Sequence, residues 1–256
     1  MRSILYVLIA ATLSLPPMIA AQTREPAVAQ SAGQIGTTAT LTPVESGDVF
    51  MARKMYREAI GQYRKAEQTP AMLNRIGVAY HYLNELDLAK KYYERALKAK
   101  PDFPDALNNL ATVYYERRSY GKAIGLYHKA IHLDSNSATF YKGLGSAYWQ
   151  SKKYKEAVQA YRQAIQLDPA VFGPAENGRV GTVLEDRNIG ERAKLHYFLA
   201  KAFAESGNND QALLYIRKSL EEGFQERKKY LEEPAFAKIR EMKEFQDLMA
   251  AEPHAL

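Results

Sequence analysis

The chain has 256 residues, 46% of them hydrophobic and 25% charged, which is enough apolar material to bury a sizeable interior and excludes wholesale disorder. With no cysteine, disulfides, thiol catalysis, thiolate metal sites and a lipid-anchored bacterial lipoprotein are excluded, and stability must come from packing. The formal net charge of +6 is spread along the chain and not gathered into a block, a mildly basic surface suited to acidic partners or anionic polymers that gives little support to nucleic-acid binding.

Residues 1–21 read as a targeting segment. Arg2 supplies the positive start, Ile4 to Leu15 an apolar run, Pro16 and Pro17 a break, and Ile19-Ala20-Ala21 a small-residue cleavage site, so a cleavable signal peptide and a periplasmic or secreted product are expected. The alternative is an uncleaved membrane anchor, since the shortest spanning helices need about 17 apolar residues; contact with a membrane is expected only in that case. Residues 22–41 are small, polar and without helical period, which predicts a flexible tether.

From residue 42 onward the chain repeats itself. Leu73, Ile76, Gly77, Tyr80, Ala89, Tyr93, Ala96 and Pro101 recur 34 residues later as Leu107, Leu110, Ala111, Tyr114, Ala123, Tyr127, Ala130 and Ser135. They recur again as Tyr141, Leu144, Gly145, Tyr148, Ala157, Tyr161, Ala164 and Pro169. Within each unit these residues fall at helical spacing, which predicts two amphipathic helices per repeat.

Three regular units thus span 70–169. Small residues such as Gly77 and Gly145 let paired helices approach while the tyrosines fill the space beside them. Turns are predicted at Asn84-Glu-Leu-Asp, Arg118-Ser-Tyr-Gly and Ser151-Lys-Lys-Tyr, and Pro101 and Pro169 end second helices. Upstream, 42–69 holds a degenerate first copy (Gly47, Phe50, Ala59, Tyr63, Ala66), whose step to the next unit is 30 residues instead of 34.

Residues 170–192 carry Gly173, Gly178, Gly181 and Gly190 and predict a long loop, read either as a tolerated surface insertion or as a lid beside a binding groove. A fifth copy follows over 193–226, with Leu199, Ala200, Phe203, Gly207, Ala212, Ile216 and Ser219 displaced 21 residues beyond the period. In 227–256, Phe236, Ile239, Phe245 and Leu248 sit on predicted short helices that cap the last repeat.

The pattern of an aromatic residue or Leu, then Leu-Gly, Tyr, Ala, an aromatic residue, Ala and Pro resembles the tetratricopeptide repeat. The end of the chain, Leu231-Glu-Glu-Pro234-Ala-Phe236 through Ile239-Arg240 to Phe245, is similar to a tail that follows such repeats in many bacterial proteins. The resemblance implies an all-α fold, a right-handed α-solenoid of about five antiparallel helix pairs, in which first helices line a concave groove.

Partner contact then falls on first-helix residues outside the packing stripe. Asn74, Val78 and His81 share one face, as do Asn108, Thr112 and Tyr115, and Lys142, Ser146 and Trp149, with Tyr197 and Lys201 continuing the row. Amides and a lysine beside the aromatic row of His81, Tyr115 and Trp149 suit an extended peptide, although packing between repeats is an equally physical use for those rings. Some relatives grip a C-terminal carboxylate with basic residues and asparagine. Here Asn109 is in place, but Thr139 and Gly143 stand where basic residues are needed, which argues against that activity.

Catalysis finds no support. His128 and His132 form an i, i+4 pair that could chelate a metal only if a third ligand approached, but no Glu lies between them and Asp134 is the only nearby carboxylate. Glu94, Glu116, Glu156 and Glu185 lie among lysines as on solvated helix faces. Gly178-Arg-Val-Gly lacks the strand and helix of a phosphate loop, and Glu176, Arg179, Glu185 and Asp186 in the insert form no nucleophile and base arrangement. No enzyme activity and no cofactor are therefore expected. The expected function is a scaffold of the cell envelope that holds a protein or peptide partner. A polysaccharide- or peptidoglycan-binding accessory module is the alternative, and the sequence gives no support for homo-oligomers.

Overall fold

The computed structural model describes residues 41–173 and 189–251. The expected signal peptide and tether up to residue 40, and residues 174–188 of the expected insertion loop, lie outside them.

Every regular element among the described residues is helical. Five pairs follow in order: α1 (Pro43–Ala52) with α2 (Tyr56–Tyr63), α3 (Pro70–Tyr82) with α4 (Leu86–Ala99), and α5 (Pro104–Glu116) with α6 (Tyr120–Leu133). Then come α7 (Ala138–Gln150) with α8 (Tyr154–Leu167), and α9 (Ile189–Glu205) with α10 (Asn209–Glu221). Each helix packs on its pair partner and on the next helix in the chain, and the first helices α3, α5 and α7 also touch in series.

The chain marks these starts and stops locally. Thr42 caps α1 through a capping box, its hydroxyl accepting from the Glu45 amide at 3.2 Å while the Glu45 carboxylate accepts from the Thr42 amide at 2.8 Å, so two otherwise orphaned donors are satisfied. Thr69 caps α3 through its hydroxyl alone, which accepts from the Met72 amide, and proline stands in the first turn of α1, α3 and α5, where its missing N–H costs nothing. Where a proline is absent between the third and fourth units, the Asp134 carboxylate accepts from the Asn136 amide at 3.0 Å and makes the turn.

The close approach within pairs is made by a tyrosine lying on a glycine. A Cβ on Gly77 would stand 2.6 Å from the Tyr93 ring, and one on Gly145 would stand 2.5 Å from the Tyr161 ring. The tyrosines therefore lie on the glycines and not merely beside them. Tyr127, whose own unit has Ala111 in place of that glycine, meets Gly143 of the following unit. Tyr63, Tyr93, Tyr127 and Tyr161 are all fully buried.

In the first unit, α2 has 8 residues where α4, α6 and α8 have 14, and the linker 64–69 is two residues longer than 100–103. Together these account for the four missing residues of the step. At the other end, α9 begins at Ile189, so the last four residues of the span expected to be loop are a turn of helix.

Beyond α10 the chain forms α11 (Lys228–Glu232), two single 3-10 turns (Pro234–Phe236 and Ile239–Glu241) and α12 (Lys243–Ala250). Tyr230, Phe236, Ile239, Phe245 and Leu248 are buried in one apolar cluster with Leu199, Phe203, Ile216 and Leu220. This segment covers the apolar face that the last helix pair would otherwise leave to water. Among the described residues, no helix is long and apolar enough to cross a membrane.

Candidate functional site

The eleven residues read as partner contacts divide sharply by burial. His81, Thr112, Ser146, Trp149 and Tyr197 are buried, whereas Asn74, Val78, Asn108, Tyr115, Lys142 and Lys201 are half-buried.

The buried group is engaged from within. His81 is 8% exposed, its Nε2 lies 2.9 Å from the Glu116 carboxylate of the next unit, and its other ring nitrogen lies 3.5 Å from the Tyr93 hydroxyl. Trp149 is 3% exposed and meets Tyr154 at 4.8 Å and Phe198 at 5.5 Å between ring centroids, edge to face in both cases. Tyr197 stacks on Phe224 at 4.8 Å, and burial with the Glu233 carboxylate nearby pushes its hydroxyl pKa well up.

Thr112 and Ser146 accept or share the hydroxyls of the buried tyrosines. The Thr112 hydroxyl is 3.1 Å from that of Tyr127, and the Tyr161 hydroxyl donates to Ser146 at 3.4 Å. In the first unit the Tyr63 hydroxyl donates to Asp48 at 2.6 Å. A polar group at this place in the first helix thus satisfies a hydroxyl that the tyrosine must bury. Three of the four aromatic or imidazole rings in the expected row are therefore packing rings, and Tyr115, whose ring meets Tyr120 at 5.6 Å, is the one that keeps a half-open face.

The half-buried group forms a polar ladder between units. The Asn109 side chain donates to the side-chain amide oxygen of Asn74 at 3.0 Å, and the Asn108 side chain donates to that of Asn109 at 3.3 Å. Arg75 pairs with Asp48 of the preceding unit. Asn109 and Arg75 were not in the expected contact row, and the signal that places them there is the position directly after Asn74 and Asn108 in each unit. Lys142 donates to the Val171 carbonyl at 2.9 Å and lies over the Phe172 ring. Lys201 pairs with Glu233 at 2.8 Å. The accessible part of the row consequently centres on α3 and α5: Asn74, Val78, Asn108 and Tyr115, with Asn109 between them.

His128 donates to or accepts from the Tyr148 hydroxyl at 2.8 Å. It lines a shallow cleft of about 490 Å³ with His132, Lys129, Asp102, Pro101, Leu107 and Leu133. Among the described residues, no three His, Asp or Glu side chains gather as a metal site would need. Gly143, one of the two places where a carboxylate clamp needs a base, lies against the Tyr127 ring.

A family model described as tetratricopeptide repeat matches residues 74–138, and a second of the same description matches residues 138–170. No curated protein matches the chain in sequence. Among solved structures, the chain is similar to a crystal structure of MamA, with 20% identity over 69% of this chain and 93% of that one at a TM-score of 0.47. A second MamA structure shows 19% identity over 75% and 93% at 0.48. The first tetratricopeptide domain of Spaghetti (RPAP3), bound to the HSP90 peptide SRMEEVD, shows 24% identity over 41% and 82% at 0.39. The tetratricopeptide repeat is a protein-interaction fold, and its residues match here in consecutive units that the helix pairs α3 to α8 build in full. Residues 74–170 of the chain are built of tetratricopeptide repeats.

Proposed function

We propose that the protein is a non-catalytic scaffold of the cell envelope that holds a segment of a protein partner on the first-helix face of α3 and α5. The observation that carries this reading is the survival of a half-open strip, Asn74, Val78, Asn108, Asn109 and Tyr115, between buried rings that fix its shape. Amides offer donors and acceptors to an extended backbone, and Val78 and the Tyr115 ring offer apolar contact for side chains. The scaffold role follows from the repeat family. The envelope location rests on the sequence of residues 1–21.

Affinity capture from an envelope extract tests it, comparing the wild type with a Val78→Gln, Tyr115→Ala variant that keeps its helical content. The variant is expected to lose a partner that the wild type retains. Identical partners for both would remove the strip from the account. N-terminal sequencing of the protein recovered from the producing cell tests the location, with Gln22 expected as the first residue. A chain that retains residues 1–21 and sediments with membranes would replace cleavage by anchoring.

A further inference from the structure

The turn from first to second helix is built alike in all five units, with one residue in the left-handed region. These residues are Lys54 (φ +60°), Asn84 (+58°), Arg118 (+56°), Lys152 (+59°) and Gly207 (+77°). Glycine adopts this conformation freely and asparagine tolerates it, whereas a long side chain there is strained. Two turns use the tolerated residues. The other three hold a lysine or arginine, so the backbone keeps strain at three equivalent places, each of which carries a cation.

Lys54, Arg118 and Lys152 are all exposed, and none of their side chains has an acidic, hydrogen-bonding or aromatic partner among the described residues. Glu58 and Glu156, four residues beyond Lys54 and Lys152, are exposed and form no ion pair with these cations, while the other acids near the turns are taken by other cations. Glu85 and Asp87, which flank the Asn84 turn, pair with Arg57 at 3.2 Å and with Arg117 respectively, and Glu116 turns to His81. Arg53 beside Lys54, and Lys153 and Lys155 beside Lys152, add exposed cations to the same turns.

We propose that Lys54, Arg118 and Lys152 form a cationic row along the turn edge of the helix pairs that binds an extended acidic segment of the protein partner. The proposal deepens the scaffold reading and rests on it. The first helices touch in series, and helices in contact lie about 8–10 Å apart, which is about three residues of extended chain at roughly 3.3 Å each. Carboxylates about three residues apart match Arg118 and Lys152, which follow the touching helices α5 and α7. A bilayer would instead use aromatic side chains standing out beside the cations. The rings next to these turns are half-buried against other rings: Tyr56 stacks on Tyr82 at 4.9 Å, Tyr120 lies against Tyr115, and Tyr154 stacks on Phe198 at 6.0 Å with Lys194 4.0 Å above it.

Glycine is the informative substitution, because at these φ values it removes the cation and relieves the backbone together. Fluorescence anisotropy of a labelled 20-residue polyglutamate is measured against the full chain at low ionic strength. Phosphatidylglycerol vesicles and polygalacturonate serve as competitors. The Lys54→Gly, Arg118→Gly, Lys152→Gly variant is expected to bind about tenfold more weakly, as the loss of three exposed ion pairs predicts, while unfolding at the same or a higher temperature. A purely structural role for these side chains would not produce that combination. The Val78→Gln, Tyr115→Ala variant is expected to bind polyglutamate like the wild type, so failure of the α3 and α5 strip and failure of the turn edge give different patterns. No polyglutamate binding by the wild type, equal binding by the triple glycine variant, or tighter binding of vesicles or polygalacturonate through the same three residues would overturn the proposal.

Discussion

Tyr115 and Trp149 occupy the same place in successive units, yet one ring is half open and the other is enclosed by Tyr154 and Phe198. Truncating them should separate binding from stability. Trp149→Ala is expected to cost about 3–5 kcal/mol, the usual range for deleting a buried large aromatic ring, and to lower the thermal midpoint markedly. Tyr115→Ala should cost roughly 1 kcal/mol and act mainly on partner capture. Thermal denaturation of the two variants checks the difference, and equal losses would contradict the burial argument.

His196 is a second residue whose surroundings make a prediction. It is buried, with its Nδ1 2.7 Å from the Glu222 carboxylate, while Arg192 reaches the other oxygen of that carboxylate at 2.5 Å. Burial lowers its pKa, and the neighbouring Lys218 and Arg192 act in the same direction against the pull of Glu222. A folded-state pKa below the unfolded value of about 6.5 means that the unfolded chain binds the proton first. Stability is then full above that value and falls as the pH drops below it. Melting curves from pH 8 to pH 5 should show a falling midpoint that is flatter in His196→Gln.

At the scale of elements, the repeat period was enough to locate α3 to α8 from the sequence, because the spacing of Leu73, Ile76, Gly77 and Tyr80 states both the helix and its packed face. The burial of His81, Trp149 and Tyr197 was not legible in the same way. A face counted at i, i+4 and i+7 says which side chains point together, but not what the next unit lays upon them. Glu116 reaches His81 from 35 residues away. Phe198 reaches Trp149 from across the insertion, where the period is broken and gives no warning.

The glycine contacts make a prediction about pairing itself. Gly145→Leu would drive a side chain into the Tyr161 ring, and overpacking of this kind costs about 1–3 kcal/mol or more. The expected result in chemical denaturation is a lower midpoint with the helical signal retained before unfolding. A variant as stable as the wild type would mean that the pair opens at no cost. Phe236→Ala tests the cap in the same way, with a loss of about 3–5 kcal/mol expected for an enclosed ring.

For the whole molecule, the helix pairs divide the work between a fixed interior and a narrow accessible strip. Tyrosine on glycine sets the distance within a pair, and polar groups such as Thr112 and Ser146 satisfy the tyrosine hydroxyls. Amide and ion pairs join one unit to the next. The half-buried strip on α3 and α5 is the face we propose for a partner, with Arg118 at the turn that ends α5.

Site-specific photo-crosslinking tests this most directly. A photo-reactive phenylalanine is placed at position 115 in one sample and at position 214, where an exposed leucine stands on α10, in another. The account predicts that, in cells producing the protein, a partner is captured at 115 and not at 214. Capture at 214 alone, or equal capture at both, would contradict it.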